Sequence, residues 1–174
     1  MVSDYLNGMN QAILEIDTSK IVKMVEVLQT AKKNSKRIYT FGNGGSGSTA
    51  SHFACDLSKG CGIRAFCLND SMPSITAWAN DSDYRVVFER QLFLMDKGDV
   101  IFAISGSGNS QNIIRTLKAA KDKGIYTIGL TAFDGGALKD VANLFLILPT
   151  KNMETAEDLS MVVCHIIKTA LVVK

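Results

Sequence analysis

Apolar residues at Leu6, Met9, Ile13 and Ile16 recur at alternating three- and four-residue spacings, which predicts an amphipathic helix near the start of the chain. The pattern resets at Asp17-Thr18-Ser19, a sequence suited to a helix N-cap. It resumes through Ile21, Met24, Val25 and Leu28 toward the basic pair Lys32-Lys33, so a second helix is expected in tandem. Beyond Lys36 the texture changes to short β-rich runs, each closed by a turn signal and most followed by helical spacing. Strands are predicted at Ile38–Phe41, Ala65–Leu68, Val100–Ile104, Tyr126–Leu130 and Leu144–Leu148. Runs such as Val100-Ile101-Phe102-Ala103-Ile104 are apolar on both faces, as strands covered by helices on both sides must be. The expected fold is therefore α/β: a three-layer, doubly wound, flavodoxin-like parallel sheet of about five strands, with residues 1–35 as a helical extension and 36–174 as the core of a single domain. In such sheets ligands bind outside the carboxyl ends of the strands, which directs attention to the loops after Phe41, Leu68, Ile104 and Leu130.

Composition changes this picture mainly by exclusion. The 174 residues are 47% hydrophobic and 21% charged, with nineteen basic and seventeen acidic side chains for a net charge of +2. That balance is too even for a dedicated nucleic-acid surface. No apolar run approaches the roughly eighteen residues of a membrane span. Cys55, Cys61, Cys67 and Cys164 form no CxxC pair, and no signal-peptide pattern stands ahead of them. Reduced thiols in a cytoplasmic protein are expected.

Two glycine-rich loops carry the first candidate chemistry. Gly42-Asn43-Gly44-Gly45-Ser46-Gly47-Ser48 lies between a strand and a helix, where backbone N–H groups can converge on an anion and the helix N-terminus adds positive potential. Gly42, Gly44 and Gly47 also match GxGxxG, with Asp70 further on, which admits a dinucleotide site. Ser105-Gly106-Ser107-Gly108-Asn109-Ser110 repeats the hydroxyl and glycine alternation after the third strand. A dinucleotide does not need this second loop. A phosphomonoester ringed by Ser46, Ser105, Ser107 and Ser110 uses both loops, which favours a phosphosugar ligand held by neutral donors.

The two histidines of the chain each stand near a carboxylate in sequence. His52 and Asp56 are four residues apart on the helix after the first loop, about 40° apart around its axis, so a metal ion or a proton could be shared between them. On the final helix, Leu159, Val162, Val163, Ile166, Ile167 and Ala170 read as an apolar stripe, with Glu157, Met161, Cys164 and His165 opposite. Glu157 and His165 are separated by roughly 12 Å along the axis and 80° around it, so they can approach a common ligand from two sides without touching.

The segments Phe41–Ser46, His52-Phe-Ala-Cys-Asp56-Leu, Ser105–Ser110 and Glu157…His165 together resemble the SIS (sugar isomerase) domain, and within it the phosphoheptose isomerase (sedoheptulose 7-phosphate isomerase) group. The resemblance runs over nearly the whole chain. It implies an aldose–ketose isomerase that interconverts sedoheptulose 7-phosphate and D-glycero-D-manno-heptose 7-phosphate, or a close heptose phosphate, through an enediol. It also implies one zinc ion on His52, Asp56, Glu157 and His165, with Asp56 and His165 catalytic, and substrate contacts from Asn43, Asn80 and Asp81 besides the serines. A homo-oligomer, a tetramer, follows from the same resemblance. Three positions depart from the family pattern: Asp56 stands where glutamate is common, Glu157 where glutamine is usual, and Gly60 near the place of a basic residue. The alternative is a non-catalytic SIS module that binds a sugar phosphate or a protein partner such as a replication initiator.

Overall fold

The computed structural model describes residues 2–172. Helices α1 (Val2–Glu15) and α2 (Thr18–Lys33) precede β1 (Ile38–Gly42) and α3 (Gly44–Cys55), which runs on into one π-helical turn, Asp56–Gly60. Then come β2 (Ala65–Cys67), α4 (Met72–Asp81), two 3₁₀ turns (Tyr84–Val86 and Glu89–Leu94) and β3 (Val100–Ile104). The chain closes with α5 (Gln111–Asp122), β4 (Tyr126–Thr131), α6 (Leu138–Val141), β5 (Leu144–Ile147) and α7 (Met153–Val172). All five expected strands form, with β1 and β4 one residue longer and β2 and β5 one residue shorter at their carboxyl ends than the sequence pattern suggests.

The sheet is parallel throughout, in the order β2-β1-β3-β4-β5. Alternate residues of each strand face opposite ways, so the sheet separates two cores. Ile38, Phe102, Ile104 and Leu130 meet Phe53, Leu159, Val163 and Ile167 on the side of α2, α3 and α7. Tyr39, Phe41, Ile101 and Ala103 meet Phe88, Ile113, Leu117 and Leu138 on the side of α5 and α6. This is the doubly wound, three-layer arrangement.

The helical extension divides by face. Asp17 caps α2 by accepting the Ser19 and Lys20 backbone N–H groups, and Ile21, Met24, Val25 and Leu28 are all buried. The first expected stripe is covered only in part: Ile16, just past α1, is buried and Met9 packs partly against the core, whereas Leu6 is 61% and Ile13 41% exposed.

The expected stripe on α7 needs correction. The buried positions are Thr155, Ala156, Leu159, Ser160, Val163, Cys164 and Ile167, so Cys164 belongs to the core and burial pushes its thiol far up. Val162, Ile166, Thr169 and Ala170 instead line a shallow groove beside His165. Because α7 is apolar on two sides, period alone could not tell which side the sheet would take.

Candidate active site

The strand order reverses between β1 and β3, because β1 turns to β2 on one side while β3 leads to β4 on the other. Gly42 pairs with Ile104 in register, so the two glycine-rich loops leave the sheet side by side at this switch point. Gly42 admits no side chain: a Cβ there would lie 2.7 Å from the Ser46 backbone and 2.9 Å from the Ile104 carbonyl oxygen. The turn is fixed further by Asn69, which accepts the Gly42 N–H at 3.1 Å and donates to the Gly42 carbonyl at 2.8 Å. Asp70, the expected acidic partner of a dinucleotide site, instead accepts the Ser51 hydroxyl. In the second loop Gly108 has φ +63° and abuts Gly135, which ties this loop to the one after β4.

The serines gather at this point. Ser46 in the first turn of α3 and Ser105 at the end of β3 are 6% and 5% exposed, yet neither hydroxyl is engaged by another described residue. Ser107 accepts the Asn109 N–H, and Ser110 stands at the N-cap of α5 with no side-chain cap bond. These hydroxyls are thus left to act as donors, beside the N-termini of two helices.

α3 then carries the chain from the loop to His52, six residues and roughly 9 Å beyond Ser46. Here α7 crosses α3 and brings His165 to His52. The two Nε2 atoms are 3.2 Å apart, and Asp56 Oδ2 lies 3.4 Å from His52 Nε2 and 3.7 Å from His165 Nε2. Asp56 opens the π-helical turn, a feature that widens the helix and often marks functional positions. Asp56 Oδ1 has no hydrogen-bond partner among the described residues, so Oδ2 faces the imidazoles while Oδ1 is uncommitted.

The three atoms form a nearly equilateral triangle and are a possible metal-holding group. Zinc bonds of about 2.0–2.1 Å at tetrahedral angles would place ligand atoms roughly 3.3–3.4 Å apart, so this triangle has the dimensions of one face of a zinc tetrahedron. Glu157 is not part of it. Its carboxylate lies over Gly45 at the N-terminus of α3, where a Cβ would come within 2.5 Å of both carboxylate oxygens. Met153, one turn earlier on α7, covers Gly106 in the same way, so the start of α7 roofs both loops.

Other expected residues have partners of their own. Asn80 and Asp81 end α4, exposed and hydrogen-bonded to each other, with no hydrogen bond to either loop. Asn43 joins a network that sequence reading did not anticipate: it exchanges two hydrogen bonds with Asn112 of α5 and accepts the Tyr84 hydroxyl. Neither Asn112 nor Tyr84 sits in a recognisable motif, and only their fold neighbours reveal them.

The family is decided by comparison with known proteins. The SIS domain family matches residues 3–132. The phosphoheptose isomerase of Helicobacter hepaticus is 35% identical over 156 residues, covering 86% of this chain and 80% of that one. That of Aliarcobacter butzleri is 34% identical over 169 residues, covering 91% and 89%. The chain belongs to the SIS domain family, in its phosphoheptose isomerase group. The solved structure of phosphoheptose isomerase GmhA from Neisseria gonorrhoeae superposes on this SIS domain with a TM-score of 0.92 at 28% identity, covering 98% of this chain and 96% of that one. Both the helical extension and the α/β core are thus shared with the group.

Proposed function

We propose that this SIS domain is a ketose–aldose phosphosugar isomerase acting on sedoheptulose 7-phosphate or a close heptose phosphate. The observation that carries the reading is the placement of the His52, Asp56 and His165 triangle one helix length from a switch-point pair of serine loops. Ser46, Ser105, Ser107 and Ser110 would hold the phosphate, and the sugar chain would run along α3 so that its carbonyl end reaches the triangle. Asn43 would contact substrate oxygens, as would Asn80 and Asp81 if a neighbouring subunit or a movement of α4 brings them in.

Isomerisation requires a proton to leave the carbon next to the carbonyl and another to move between the two oxygens. The uncommitted Asp56 Oδ1 would take the carbon-bound proton, while Oδ2 stays with the imidazoles. His165 would carry the proton between O1 and O2 through Nδ1, since Nε2 is the atom that faces His52 and Asp56, and an enediol forms between C1 and C2. His52, Asp56 and His165 would hold zinc, with Glu157 as fourth donor once its carboxylate swings from Gly45 toward them, and zinc when bound would polarise the substrate oxygens. Dividing one carboxylate between two tasks answers the shortness of Asp56, because the ligand oxygen and the base oxygen need not be the same atom.

Residues 1–35 and 36–174 act as one functional unit in this reading, within a cytoplasmic homotetramer. No helix among the described residues is long and apolar enough to cross a membrane. The reading is tested by supplying sedoheptulose 7-phosphate with zinc or with a chelator. Aldose phosphate formed with zinc and lost with chelator is expected. Binding of the ketose phosphate without turnover in either condition would favour the non-catalytic module.

A further inference from the structure

Tyr84 begins the 3₁₀ turn after α4 and is 50% exposed, so core packing does not account for where its ring lies. Its hydroxyl donates to Asn43 Oδ1 at 3.0 Å, in the first glycine-rich loop. Asn112, nearly buried in the first turn of α5, donates Nδ2 to the same oxygen at 2.8 Å and accepts Asn43 Nδ2 at 3.0 Å. Paired amides of this kind could in principle both be reversed. The Ile113 backbone N–H removes that freedom, because it can only donate and it meets Asn112 Oδ1 at 3.0 Å. The oxygen of Asn112 is therefore fixed, and with it the orientation of Asn43.

Both lone pairs of Asn43 Oδ1 are then filled, one by Asn112 and one by Tyr84. Of the two Nδ2 hydrogens one is spent on Asn112, so one N–H remains. The turn that presents Tyr84 is itself held by its neighbours: Asp83 accepts the Arg85 backbone N–H at 2.7 Å and the Arg85 guanidinium at 2.9 and 2.8 Å. We infer that Tyr84 is a positioning residue of the isomerase, which together with Asn112 holds the Asn43 amide so that it offers a single N–H donor to an oxygen of the bound phosphosugar. Tyr84 reaches the first loop from a segment 41 residues later, and its loss would leave Asn43 Oδ1 with one unfilled lone pair. The inference rests on the proposed function in taking Asn43 to face the substrate.

The test compares zinc-loaded wild type, Tyr84→Phe, Asn43→Ala and the double variant, by steady-state kinetics and by calorimetric binding of sedoheptulose 7-phosphate, with melting temperatures alongside. Tyr84→Phe removes one hydroxyl and should lower kcat/KM and weaken Kd about 2- to 12-fold, the range of one net hydrogen bond. The same change in the Asn43→Ala background should cost nothing further. An unchanged kcat/KM and Kd, with or without a fall in melting temperature, overturns the inference, as does an equal loss when Asn43 is already alanine. Wild type that binds the ketose phosphate without turning it over refutes the isomerase reading alone, since the Kd comparison still decides Tyr84. Wild type that neither binds nor turns over the sugar overturns both.

Discussion

At the scale of single residues, the near-equal spacing of His52 Nε2, His165 Nε2 and Asp56 Oδ2 is what turns two isolated histidines into a site. His165→Ala removes both a proposed ligand and the proposed proton carrier, and isomerase rate should fall by about 10²–10⁴-fold with the fold intact by circular dichroism. Gly45→Ala makes a subtler demand. The added methyl would meet the Glu157 carboxylate at 2.5 Å, a flexible side-chain end that can swing away. Stability should change by less than about 1 kcal/mol, since alanine is a better helix former than glycine. Zinc affinity, read by competition with a chromophoric chelator, should not fall, because the methyl pushes Glu157 off Gly45 and leaves the three triangle atoms in place. Much of this was legible in the sequence: His52 and Asp56 share a helix face by spacing alone. The encounter of His52 with His165, 113 residues later, was not, because it depends on how α7 crosses α3.

Among elements, the switch point decides where chemistry can occur. The five strands and the two serine loops could be read from period and turn residues, since two-sided burial and glycine spacing are local properties of the chain. The face of α7 could not, because Cys164 and Ile166 are both apolar and only the packed sheet chooses Cys164. Asn80 and Asp81 bond to each other and not to the loops for a similar reason: the sequence marks a helix end there but not the partners it finds. The Asp83 carboxyl is held down to about 2, first by its hydrogen bonds from the Arg85 side chain and more weakly by the Arg115 charge. A carboxyl depressed from an ordinary 3.8 stabilises its turn fully above that pH and loses the contribution as pH falls through about 2. A carbon NMR titration of Asp83 should therefore show its midpoint near 2, and a midpoint near 3.8 would contradict the clamp. At the opposite end of the sheet, buried Asp99 accepts the Arg37 backbone N–H and guanidinium together with the Asp96 N–H. Asp99→Ala strands all three donors and should cost about 2–3 kcal/mol in urea unfolding, lessened because Arg37 is partly exposed and keeps Asp96.

For the whole molecule, apolar side chains remain outside the two cores. Leu6, Ile13 and Leu14 of α1 and Ile166 and Val172 of α7 are exposed, and α1 meets α7 through the Tyr5 hydroxyl on Asp158. Burying these faces between copies fits the proposed tetramer, which light scattering would report as a mass four times that of the chain. The near-neutral charge is also consistent with the site, because serine hydroxyls and helix N-termini can hold a phosphate without a cluster of basic residues. In the proposed reaction this site moves protons to interconvert a ketose and an aldose phosphate. It is tested most directly by following sedoheptulose 7-phosphate with zinc in D2O by NMR. An aldose 7-phosphate carrying solvent deuterium at C2 is expected, and its disappearance in His165→Ala. No aldose, or an aldose formed by His165→Ala as fast as by the wild type, would contradict it.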